Sequence, residues 1–256
     1  FTNAERRISR VRKVMQPLAG FADWEVTLGL ANALGMNLHY AHPSEVMDEI
    51  ARLTPTFTGV SYAKLDELGS VQWPCNEKAP AGTPIMHVDR FVRGKGRFML
   101  TEFIPTLERT GPRFPLLLTT GRILSQYNVG AQTARTPNTV WHDEDVLEVH
   151  PFDAENRGLK TGDLVLLHSR AGETTLRAVV TERVQPGVVY TTFHHAKTNA
   201  NVVTTEFSDW ATNCPEYKVT AVQVSKASGP SAFQTEDRRR DVALRQVLHG
   251  GPDAAR

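Results

Sequence analysis

Cysteine is scarce in this sequence: Cys75 and Cys214 stand far apart in unlike surroundings. That excludes a disulfide framework or a cysteine metal cluster and leaves buried or inert thiols as the expectation. Charge of one sign is also missing, since 29 Lys and Arg residues face 28 Asp and Glu for a net charge of +1. Such a chain has no field to draw it onto nucleic acid or a negatively charged membrane, and neither is expected as a partner. No apolar run reaches the roughly 20 residues that span a bilayer, and no secretory leader is present. An initiating methionine is missing too, the chain opening on Phe1. The expectation is a C-terminal piece of a longer polypeptide, whose own start would carry any targeting signal.

What is there suffices for a core. At 256 residues the chain can hold one or two domains. Residues 1–16 place Arg6, Arg7, Arg10, Arg12 and Lys13 among Ile8, Val11 and Val14, as a solvated or partner-facing segment would. Helical spacing of Trp24, Leu28, Ala31 and Leu34 predicts a helix over 22–37 with Trp24 in the core. A second helix, over 44–53, would turn Val46, Ile50 and Leu53 to one side. Residues 54–97 carry Pro and Gly without a period and read as an extended, irregular connection wrapping other parts of a larger subunit.

After Gly96 the composition shifts, which puts a domain boundary near 97–105. Short β-type runs follow at 116–120, 146–150, 164–169, 174–182, 188–193 and 218–224. One or two helical turns over 151–159 would bury Phe152 and Leu159, with Gly158 at their C-terminal end, and Ala171 with Gly172 would make a hairpin. Six β-runs with one short helix argue for a small closed barrel. Residues 225–231 read as a flexible link, and 235–248 as a charged helix with Val242, Leu244 and Leu248 on a thin apolar face, solvated or laid on a neighbouring subunit.

The first barrel run, around Leu116, Leu117 and Leu118, breaks at Thr119 into a polar loop reaching Thr136. Hydroxyls (Thr119, Thr120, Ser125, Thr133), amides (Gln126, Asn128, Gln132), guanidinia (Arg122, Arg135) and glycines (Gly121, Gly130) suit a large polar ligand. Gly121 would let backbone approach it, and Arg122 could grip a phosphate with two bonds. The same composition also suits an ordinary surface loop.

Thr119-Thr120-Gly121-Arg122, Gln126-Tyr127-Asn128-Val129-Gly130 and Gln132-Thr133-Ala134-Arg135-Thr136 resemble the cofactor loop in the last domain of molybdenum or tungsten formate dehydrogenases, members of the bis-pyranopterin-guanine-dinucleotide oxidoreductases. Thr2-Asn3-Ala4-Glu5-Arg6-Arg7, His150-Pro151-Phe152-Asp153-Ala154 and Asn213-Cys214-Pro215-Glu216-Tyr217-Lys218 resemble that family in the same order. The resemblance implies an α+β, mixed fold: over 1–104 the helical and irregular remnant of an α/β domain, over 105–225 a six-stranded double-psi β-barrel, and over 226–256 a linker with a tail helix.

By the same resemblance, Thr119, Gly121, Arg122, Gln126 and Tyr127 would line one dinucleotide. Thr192, Phe193 and His194 would form a second wall, and Asn213, Tyr217 and Lys218 a third. Thr2, Asn3, Glu5 and Arg6 would line or brace the cofactor region. Gln126 stands where some relatives have His, and Phe193 where some have Tyr, so bonds from an imidazole or phenol there are not carried over.

The implied cofactor is a bis-molybdopterin guanine dinucleotide with Mo or W, with iron-sulfur clusters elsewhere in the parent subunit. The implied partners are the rest of the catalytic subunit, iron-sulfur and flavin- or NAD-binding subunits, and formate or CO2, in a soluble, cytoplasmic, NAD-linked complex. The metal's Cys or selenocysteine ligand and its neighbouring His and Arg would lie upstream, so no catalytic or metal-binding residue is expected in this chain. Of the adjacent His194 and His195, which as strand neighbours point to opposite faces, one is expected to face the cofactor and one to be structural. His142 with Asp143, Glu144 and Asp145 reads as an exposed acidic loop. Two alternatives stand beside this: another oxidoreductase with the same cofactor, of nitrate or arsenite type, and a cofactor-free barrel that binds protein.

Overall fold

A computed structural model describes residues 1–17 and 19–249. The side chain of Leu248, expected on the tail's apolar face, lies outside what is described. The chain forms two compact units, Phe1–Leu100 and Thr101–Arg256.

In the first unit β1 (Arg7–Ser9) is followed by the helices α1 (Asp23–Ala33), α2 (Pro43–Leu53) and α3 (Tyr62–Leu68) and by β2 (Ser70–Gln72), which pairs antiparallel with β1. Its core is small: Ile8, Val60, Leu65, Val71 and Cys75, with Met47, Phe57 and Trp73 against it. The first helix forms as expected, but Trp24 is only half-buried and Leu34 is exposed. On α2, Ile50 and Leu53 are exposed and Met47 is the residue that reaches the core. Helical spacing fixes which residues share a side, not whether anything covers it. Residues 54–97 are also less irregular than their composition predicts. Ser61 caps α3 by accepting from the Lys64 N–H, Gly69 ends it at φ 74°, and β2 follows at once. Arg6 braces this unit: its guanidinium donates to the carbonyls of Trp73, Thr83 and Pro84. Asn3 Oδ1 accepts the N–H groups of Glu5 and Arg7, each at 2.9 Å, closing the turn that leads into β1.

The second unit is a closed barrel of β3 (Leu116–Gly121), β4 (Val146–Val149), β5 (Leu164–His168), β6 (Glu173–Val180), β7 (Val188–Thr192) and β8 (Thr220–Lys226), with α4 (Pro151–Glu155) between β4 and β5 and α5 (Ala232–His249) after β8. Around the barrel the order is β3-β7-β4-β6-β5-β8. The pairs β3·β7 and β4·β6 are parallel and the other four are antiparallel. This is the six-stranded mixed barrel that the resemblance implied. Closure leaves no free sheet edge. Alternate residues of each strand fill the interior: Leu116 and Leu118, Leu147 and Val149, Val165 and Leu167, Val222 and Val224.

Three details depart from the sequence reading. Phe152 faces out, 60% exposed, while Leu159 is buried as expected. Residues 225 and 226 continue β8, and the segment up to 231 is anchored, because Ser231 and Gln234 are buried and hydrogen-bonded to each other and Gln234 is bonded to Thr175. Cys75 is buried but Cys214 is exposed, both as free thiols. Among the described residues no helix is long and apolar enough to cross a membrane.

Candidate cofactor-binding site

Strand direction assembles one rim of the barrel. β3 and β7 run parallel with Gly121 opposite Thr192, so the chain leaves both strands at the same end and sets Arg122 beside Phe193. The Arg122 guanidinium carbon lies 5.1 Å from the centre of the Phe193 ring, a cation–π contact that holds an exposed cation in place. β8 runs antiparallel to β3 with Thr220 opposite Leu118, so the residues before β8 arrive at this same end. There Lys218 Nζ donates to the Thr120 carbonyl, and Thr120 Oγ1 donates to the Tyr217 carbonyl at 3.0 Å. The Lys218 ammonium is 5.3 Å from the Tyr217 ring. Arg122, Phe193, Tyr217 and Lys218, drawn from three separated stretches, are thus brought together. Tyr127, 60% exposed, is the outward aromatic of the loop after β3.

Other residues expected to touch a cofactor are committed to the scaffold. His194 is 1% exposed; its Nε2 accepts from the Ile123 N–H at 3.1 Å and its Nδ1 bonds the Asn128 carbonyl. Those two bonds require a neutral ring protonated on Nδ1, with no nitrogen left for a ligand. His194 therefore pins the loop, with both ring nitrogens bonded to its backbone. Gln126 is 5% exposed and also turned inward, accepting from Thr133 Oγ1 and donating to the His142 carbonyl at 3.3 Å. Thr192 Oγ1 donates to Asp145. Gly121 is needed for an internal reason: a Cβ there would meet the Tyr190 hydroxyl at 2.5 Å, and that hydroxyl donates to the Arg122 carbonyl. Thr119 is half-buried within β3, opposite Tyr190. Asn213 sits in a left-handed turn at φ 56° and accepts from Ser208 Oγ at 2.7 Å. The same turn is held by Asp209, whose carboxylate accepts from Thr212, Cys214 and Ala211 and is thereby held down at about 2.

The acidic stretch near His142 is not uniformly exposed. Asp145 is 1% exposed and accepts from the hydroxyl of Thr192, the N–H groups of His194 and His195, and His195 Nδ1 at 3.0 Å. It organises the β7 exit. Its surroundings hid it: three consecutive acids look solvated until the fold turns one of them inward. His195 then presents Nε2, buried and without a hydrogen-bond partner among the described residues, beside a cavity of about 640 Å³ lined also by Gly130, Ala134, Lys197 and Gln234. Both histidines line this cavity, but only the His195 ring keeps a nitrogen without a partner among the described residues. No group of three or more His, Cys, Asp or Glu among the described residues is arranged to share a metal ion.

Residues 116–221 match the family described as the molydopterin dinucleotide-binding domain. Over 232 residues the chain is 35% identical to the F420-dependent formate dehydrogenase subunit alpha of Methanocaldococcus jannaschii and 38% identical to the F420-dependent formate dehydrogenase 2 subunit alpha of Methanococcus maripaludis. Each alignment takes in 88% of this chain and 34% of the relative, so the chain spans about a third of their length. Among solved structures, acetylene hydratase from Pelobacter acetylenicus shares the fold at a TM-score of 0.60 and 15% identity, over 87% of this chain and 35% of that one.

Proposed function

From the match of residues 116–221 to the molydopterin dinucleotide-binding domain, we propose that the chain is the C-terminal part of a formate dehydrogenase catalytic subunit. The reaction is formate oxidation to CO2, reversibly, at a Mo or W centre. One observation carries the reading: within the matched segment, Arg122 on Phe193 and Lys218 on Thr120 meet at one barrel end.

The donor set fits the group. An exposed guanidinium and a neighbouring ammonium suit a pyrophosphate, and the half-buried faces of Phe193 and Tyr217 with the exposed Tyr127 suit a fused ring system. Arg122 would grip the phosphates, with Phe193 fixing the plane of its guanidinium. Lys218 would add the second positive charge, and Tyr127 and Tyr217 would border the ring. His194, Gln126 and Asp145 hold these groups in place without touching the ligand. When bound, the metal–pterin group supplies the two-electron acceptance that formate oxidation needs and no side chain provides. Electrons would leave through iron-sulfur clusters elsewhere in the subunit to NAD, in a cytoplasmic complex with flavin- or NAD-binding subunits. The methanogen relatives are named for F420, so the acceptor belongs in the test.

In the complete enzyme, Arg122→Ala and Lys218→Ala are each expected to lower retained metal and pterin about tenfold or more, the cost of a charge-assisted bond being about 1.5–3 kcal/mol. Metal analysis and fluorescence of the released, oxidised pterin measure this. Formate, not nitrate, is the expected substrate, and NAD and F420 are compared as acceptors. Full metal and pterin content in both variants would refute the rim; turnover of nitrate alone would reassign the substrate.

A further inference from the structure

We propose that Thr106 and Glu108 are positioning residues for the Tyr217-Lys218 arm of the rim. The proposal rests on the cofactor reading above and extends it to a stretch before residue 116, where the family match begins. The arm is bracketed. On one side Glu216 Oε2 accepts from Thr106 Oγ1 at 2.8 Å, and on the other the Ala221 N–H donates to Glu108 Oε2 at 2.7 Å. Thr106 Oγ1 also accepts from the Glu108 N–H at 3.0 Å, so the two grips form one clasp.

Glu108 is 2% exposed, and a buried carboxylate is costly unless paired. Its Oε2 takes a second bond, from Arg170 at 3.0 Å, and Arg170 in turn donates to the Arg109 carbonyl at 3.3 Å. An apolar residue at 108 would leave the Ala221 N–H without that acceptor. Between the two grips the chain has little freedom, and it is there that Tyr217 and Lys218 make their bonds to Thr120. The ordering entropy of the arm is thereby lost on folding instead of on cofactor binding, which is preorganisation. It also gives Glu216 a definite part: this member of the Asn-Cys-Pro-Glu-Tyr-Lys motif faces Thr106.

The test uses the complete, cofactor-loaded enzyme and follows pterin release by fluorescence of its oxidised form, with the thermal midpoint recorded in parallel. Thr106→Val is expected to speed release about tenfold with little change in the midpoint, and Thr106→Ser to restore the native rate. Glu108→Gln, which keeps an oxygen for the Ala221 N–H, is expected to release no more than about twofold faster. In a Lys218→Ala background, Thr106→Val is expected to add clearly less than it does alone, because only the Tyr217 part of the arm is left to position. Faster release in Lys218→Ala with native release in Thr106→Val, or additive effects in the double variant, would overturn the clasp alone. Native release in Lys218→Ala would overturn the rim and the clasp with it.

Discussion

At the scale of single residues, the site separates side chains that face outward from side chains that hold them. His194 shows the difference: it stands next to Phe193, yet both its nitrogens serve the backbone of the loop between Ile123 and Asn128. Replacing it by Ala would leave the part-buried Ile123 N–H and Asn128 carbonyl without this partner, at a cost of about 1–3 kcal/mol. Denaturant unfolding should register that loss, and amide exchange should quicken over 123–130 while β3 and β7 stay protected. Unchanged exchange in the loop would mean that the imidazole does not pin it. The sequence motif marked this histidine. It could not say which way the ring turned, because the partners of His194 lie 66 and 71 residues away in sequence.

At the scale of elements, α5 is tied to the barrel by its first turn. Gln234 is 9% exposed; its amide oxygen accepts from the backbone of Thr175 and Ser231, and its nitrogen donates to the carbonyls of Thr175 and Lys197, both at 3.0 Å. Further along, Val242, Leu244 and Val247 are exposed and the ion pairs are at the surface, where each contributes little. Gln234→Ala is therefore expected to destabilise the barrel by about 1–3 kcal/mol, whereas truncation after Arg240 should change it by no more than about 0.5 kcal/mol. Thermal unfolding of the two variants compares them, and the reverse order would show that the distal helix is the anchor. The charge pattern marked the helix. Its anchoring glutamine was not visible, since an amide at a helix start is ordinarily solvated.

At the scale of the whole molecule, the chain between the barrel and the preceding unit carries apolar side chains in the open: Phe98 and Leu100 are fully exposed, Phe103 88% and Ile104 74%. Limited digestion of the isolated chain by a chymotrypsin-type protease is expected to cut first among these residues and leave the barrel whole, whereas first cuts inside the barrel would contradict the two-unit description. In the complete subunit the same bonds are expected to resist cleavage, because apolar surface of this extent is normally covered. The sequence by itself determined the six barrel strands, their approximate limits and the order of the motifs, because alternation and turn residues act within a few positions of the chain. Only the tertiary structure decided which motif side chains stay outward and which are bonded inside, as with His194, Gln126 and Thr192, and it brought in Thr106, Glu108 and Asp145. The reason is physical: a hydrogen bond across 50 to 113 residues leaves no local periodicity, and strand direction around a closed barrel, which sets what meets at its rim, is fixed only when the last pair closes.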